Sequence, residues 1–76
     1  GKQIEIYVDN ELYKTYDIDD EDEIKIVECL KLEPAHIDNI ANKTGLNIKI
    51  INSVIVMLEL KGIVEQTPGK IYKLKL

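Results

Sequence analysis

Arginine is missing from this chain: all ten basic residues are lysines. That removes the planar fork that reads guanine edges or clasps a phosphate through two parallel hydrogen bonds, so any anion must be met by point charges. A single cysteine, Cys29, excludes an internal disulfide, and a single histidine, His36, leaves no set of ligands for a thiolate and imidazole metal site. Four scattered glycines form no phosphate-cradling loop, and no nucleophile stands beside a base. Neither catalysis nor a cofactor or metal is therefore expected. No apolar run approaches the length of a membrane span, and no basic segment leads into an apolar one. The expected setting is cytoplasmic and reducing, with no membrane partner.

What is present fits one small domain. Its 76 residues lie near the lower size at which a single core holds by packing alone. The chain begins at Gly1 rather than at methionine, which reads as a piece of something longer. The net charge of −4 hides a division. Residues 1–42 set four lysines against twelve carboxylates, giving −8, while residues 43–76 set six lysines against Glu59 and Glu65, giving +4. A polyanion responds to the local patch more than to the total, so the second half is the side to search for such a partner. Two merely solvated faces produce the same numbers.

Ile4, Ile6 and Val8 alternate with polar or aromatic neighbours, Asp9-Asn10-Glu11 carries turn residues, and Leu12 to Ile18 resumes a strand pattern. A hairpin over residues 1–18 is predicted, ahead of a compact unit over 19–76. The acidic cluster Asp17 to Glu23 suits a helix start, with Asp20 and Glu23 at capping-box spacing. Ile24, Val27 and Leu30, widened by Ile26 and Cys29, supply an apolar stripe until Pro34 ends that helix. His36 stands where the next helix needs an N-cap, a role that suits it better than acid or base work because nothing nearby orients it. Gly45 supplies the positive φ that ends the second helix, and Asn47 caps a third running from Ile48 to Lys61. Ile63 to Gln66, the turn Thr67-Pro68-Gly69-Lys70 and Ile71 to Leu76 complete a second hairpin. Helix, turn, helix and hairpin in this order make an α+β winged helix-turn-helix: three helices, a C-terminal wing and an additional N-terminal β-hairpin.

The third helix carries the functional signal. At about 100° per residue, Ile51, Val54, Ile55 and Leu58 fall on one side, which is the core side. Lys49, Ser53, Val56 and Leu60 fall opposite, flanked by Asn52 and Glu59. Lys49, Asn52 and Ser53 are candidate DNA contacts, joined by Lys70, Lys73 and Lys75 beside the wing tip, where lysines straddle a phosphate backbone or guard a sheet edge against aggregation. Ile50, Val56, Met57 and Leu60 form a candidate protein interface, unless the N-terminal hairpin covers Val56 and Leu60.

Three strings carry a resemblance. Pro34-Ala35-His36-Ile37-Asp38-Asn39-Ile40-Ala41-Asn42-Lys43-Thr44-Gly45-Leu46, Leu58-Glu59-Leu60-Lys61-Gly62-Ile63-Val64 and Pro68-Gly69-Lys70-Ile71-Tyr72 together resemble the C-terminal winged-helix domain of the DNA-processing protein A (DprA/Smf) family, over about residues 24–76. Residues 3–18 match nothing expected of that domain, and Ile50 occupies a position that is often charged. The resemblance implies a cytoplasmic bacterial protein that binds incoming single-stranded DNA in natural transformation and helps load the recombinase on it. It implies an accessory module here, since the family's Rossmann-like domain, which holds most of the strand, is absent from this sequence. No catalytic residue carries over. Two functions stay open: weak DNA contact through the third helix and wing, and a protein-interaction or self-association role, as a homodimer, with other domains of the parent protein or with the recombinase machinery, without direct DNA contact.

Overall fold

The computed structural model describes residues 1–76. Eight elements follow one another: β1 (Lys2–Val8), β2 (Glu11–Ile18), α1 (Glu21–Leu32), β3 (Ala35–His36), α2 (Ile37–Thr44), α3 (Ile48–Leu60), β4 (Val64–Thr67) and β5 (Ile71–Leu74). β1 and β2 form a two-stranded antiparallel sheet, and β3, β5 and β4 form a second sheet in that order. The α+β winged helix-turn-helix with an N-terminal hairpin is thus the observed fold.

Local chemistry sets the helix ends. The Asp20 carboxylate accepts the Glu23 amide at 2.9 Å, and the Nδ1 atom of His36 accepts that of Asp38 at 3.1 Å. Gly45, at φ 76°, closes α2 in the left-handed region and donates its N–H to the Ala41 carbonyl at 2.9 Å. Two residues later Asn47 Oδ1 accepts the Ile50 amide at 2.8 Å and opens α3. The tight link between α2 and α3 therefore rests on two caps, one of them a glycine.

The Glu23 half of the expected capping box does not form. Its side chain is buried and accepts two hydrogen bonds from Lys61 Nζ, at 2.8 and 3.0 Å, instead of reaching back to the cap. The pair ties the start of α1 to the residue that ends α3. β3 was not apparent in the sequence either; its two residues exist because Ala35 and His36 pair with Tyr72 and Ile71 of the wing.

One core serves both sheets and all three helices, running from Ile4, Ile6, Tyr16 and Ile18 of the first hairpin through Ile26, Val27 and Leu30 to Ile40, Ile51, Ile55, Leu58, Val64 and Tyr72. The first hairpin overhangs it. The register slips between Ile6 and Tyr7, leaving Tyr13 as an extra residue on β2. Beyond that bulge Tyr7, Val8, Leu12 and Tyr13 are all exposed, so Val8 leaves the core row that Ile4 and Ile6 begin.

Inside the core the Tyr16 hydroxyl is buried and makes no hydrogen bond to any protein group. Burial, with Tyr13 nearby, raises its pKa above the ordinary tyrosine value. Folding therefore favours the protonated phenol. This contribution is intact below about pH 10, where unfolded tyrosine titrates, and is lost as pH rises from there through the folded-state pKa. Tyr16→Phe is expected to stabilise the fold by about 1 kcal/mol at neutral pH and to flatten the alkaline loss of stability, read by urea denaturation at a series of pH values. A destabilised variant would mean that the hydroxyl has a partner.

A candidate nucleic-acid interface on α3 and the wing

α3 presents the predicted side to the core, with Ile51, Ile55 and Leu58 buried and Val54 partly so. Its outer face divides along the axis. The N-terminal half carries Lys49, Asn52 and Ser53, all exposed. The C-terminal half carries Val56, Met57 and Leu60, which are 53%, 48% and 77% exposed. The N-terminal hairpin does not cover that stripe. Ile50 sits at one flank, 37% exposed, and Ile48, at the start of the helix, is an exposed apolar residue on the opposite flank, at 39%.

Asn52 extends into solvent, while the Ser53 hydroxyl donates to the Lys49 carbonyl at 3.2 Å and keeps its oxygen lone pairs available as acceptors. Lys49 stands in the first turn of α3, which holds no acidic residue. A cation there is opposed by the helix dipole by a few tenths of a kcal/mol, so its position does not serve the stability of the helix. An anion approaching this end meets both the lysine and the positive end of the dipole.

The wing is formed by β4 and β5 around Pro68, Gly69 and Lys70, with Gly69 at φ 83° and Lys70 at φ 58°. Thr67 Oγ1 donates to the Ile71 carbonyl at 2.9 Å and closes the base of the turn. Lys70 thus occupies a left-handed conformation that a lysine adopts at a cost of about 1 kcal/mol. β5 turns Tyr72 and Leu74 inward, while Leu76, past the end of the strand, is 57% exposed.

Ion pairing sorts the six lysines of the basic half. Lys43 pairs with Glu33 at 3.1 Å, Lys61 with Glu23 at 2.8 Å, and Lys73 with Glu65 directly across the wing at 3.4 Å. Lys49, Lys70 and Lys75 form no ion pair. Of the lysines proposed from sequence, Lys73 is therefore the one already engaged. Its cross-strand pairing follows from the three-residue turn, a length that the Thr-Pro-Gly-Lys string does not specify by itself. No group of three or more His, Cys, Asp or Glu side chains is placed to hold a metal ion, and no helix is long and apolar enough to cross a membrane.

No curated protein and no solved structure gives a significant match to the chain. The family model described as the DprA winged helix domain matches residues 12–70. That match begins inside β2 and runs through α3 to the wing tip, so it takes in residues 12–18, which the sequence had suggested lie outside the domain. With this fold, and with a family match over more than half of its length, the chain belongs to the DprA winged-helix domain family.

Proposed function

We propose that this domain is the accessory winged-helix module of a DprA-family DNA-processing protein, acting in the cytoplasm on incoming single-stranded DNA in natural transformation. Its part is a weak contact with the strand, made by the N-terminal half of α3 and the wing. The observation that carries this reading is the sorting of lysines: within the basic half, those on the first turn of α3, at the wing tip and just after β5 are the ones without a carboxylate partner. Lys70 adds weight, because a residue held in an unfavourable backbone region at an exposed tip is a common mark of a functional position. Lys49, Lys70 and Lys75 meet phosphates, Asn52 and Ser53 offer hydrogen bonds, and Lys73 contributes only when its pair with Glu65 opens.

Three phosphate contacts imply an affinity no tighter than about 10⁻⁴ to 10⁻⁶ M and a log–log salt slope near −3. Replacing Lys49, Lys70 and Lys75 together by glutamate is expected to abolish binding of a fluorescent oligonucleotide while leaving the melting temperature close to that of the parent. Undiminished binding would sink the assignment of these lysines.

The exposed Val56, Met57 and Leu60 stripe favours a second reading, in which α3 is a protein-contact or self-association surface, for instance toward the recombinase machinery, and DNA is met elsewhere in the parent protein. Leu60→Glu distinguishes the two readings. It disrupts such a complex and leaves oligonucleotide binding by the lysines in place.

A further inference from the structure

From the overhanging tip of the first hairpin and a lysine-rimmed groove along α1, we infer that the chain associates head to tail with a second copy of itself, the tip of one molecule seated in the groove of the next. The tip is apolar and acidic at once. Tyr7, Val8, Leu12 and Tyr13 are 54%, 43%, 52% and 54% exposed, around the carboxylates of Asp9 and Glu11. Tyr7 and Val8 are neighbours on one strand and point to opposite faces, so both faces of the tip are bare. Nothing in the molecule's own core requires such residues there, and contiguous exposed apolar surface of this kind marks a contact.

The groove has the complementary character. It is bordered by Lys2, Lys25, Lys31 and Lys43 around Ile24 and the end of α1, where Leu32 is 78% exposed. Three of the four lysines in the otherwise acidic half of the chain thus converge on one place. Glu28, within the groove, is held by Lys2 at 3.2 Å, and Lys43 is held by Glu33, whereas Lys25 and Lys31 form no ion pair. Asp9 and Glu11 of a neighbouring tip supply the missing partners, and Val8 and Leu12 cover Ile24 and Leu32.

A molecule does not satisfy its own groove. Of the hairpin only Lys2 borders it, and the two-residue turn with Asp9 at φ 52° and Asn10 at φ 68° keeps the strands paired up to the tip. Each copy has one tip and one groove, so the contact is heterologous and repeats from molecule to molecule. It leaves α3 and the wing uncovered and is independent of the DNA reading. Exposed charges and a small contact area make it weak and sensitive to salt.

Sedimentation of the intact chain at low salt, up to about 1 mM, tests this. The weight-average mass is expected to rise with concentration past that of a dimer and to fall back when salt is added. A tip variant, Glu11→Lys with Leu12→Ser, and a groove variant, Lys25→Glu with Lys31→Glu, are each expected to remain monomeric. Mixed in equal amounts, they form a one-to-one dimer and stop there, because one retains a groove and the other a tip. Should Lys31→Glu loosen the last turn of α1, Lys25→Glu with Lys31→Gln serves instead. Wild-type chain that stays monomeric throughout, variants that still assemble, a mixture that stays monomeric, or assembly lost only with Leu60→Glu would each overturn the inference.

Discussion

Leu58→Ala is expected to cost about 3 kcal/mol of folding stability, and Leu60→Ala, two residues further along the same helix, less than about 0.5 kcal/mol. The side chains are chemically identical. Leu58 is fully buried at 0% exposure, whereas Leu60 is 77% exposed. Truncating a buried leucine loses the transfer free energy of three carbons and leaves a cavity that the surrounding isoleucines fill only partly. A domain of this size has a total stability of roughly 4–11 kcal/mol, so the Leu58 variant sits near the edge of folding at physiological temperature. Urea denaturation reads both values, with the midpoint shifting and the slope preserved. Similar losses for the two variants would mean that the stripe assigned to the outer face of α3 is core. The reading of that helix as a contact surface would then fail.

The second large effect concerns Glu23 and Lys61. The Glu23 side chain is 8% exposed and takes both of its hydrogen bonds from one ammonium, whose side chain is 48% exposed. Removing the lysine leaves a buried charge without its partner, the costly half of the asymmetry in buried ion pairs. Lys61→Ala is expected to destabilise by about 2 kcal/mol, less than for a fully buried pair because solvent reaches the lysine side. Replacing both, as Glu23→Leu with Lys61→Met, is expected to return most of that loss, since two apolar side chains of similar size need no partner. A double-mutant cycle by denaturation measures the coupling, with an expected value of about 1–2 kcal/mol. Additive single effects would show that the pair is a surface contact with no structural role.

Features governed by neighbouring residues were legible from sequence. His36, Gly45 and Asn47 mark the helix-turn-helix because caps and left-handed glycines act within three residues, and the Pro68-Gly69 turn marks the wing for the same reason. What escaped depends on partners far along the chain. Asp20 and Glu23 have the spacing of a reciprocal cap, and only the arrival of Lys61, 38 residues later, draws the glutamate away. The Tyr13 bulge reflects how the hairpin seats Ile4, Ile6, Tyr16 and Ile18 while its end runs past the core. The candidate site divides in the same manner. Helical periodicity identified which residues of α3 face outward, but which lysines are free emerged only once Glu33, Glu23 and Glu65 had found theirs. The groove lysines come from three separate elements and share no motif.

Whether the N-terminal half of α3 and the wing touch DNA is decided by a backbone amide NMR titration of the domain with short single- and double-stranded oligonucleotides at low salt. Saturable shifts are expected at Lys49, Asn52 and Ser53 and over Lys70 to Lys75, larger for the single strand and collapsing as salt rises. A spectrum unchanged by either oligonucleotide, or shifts confined to other surfaces, would mean that these residues do not meet DNA.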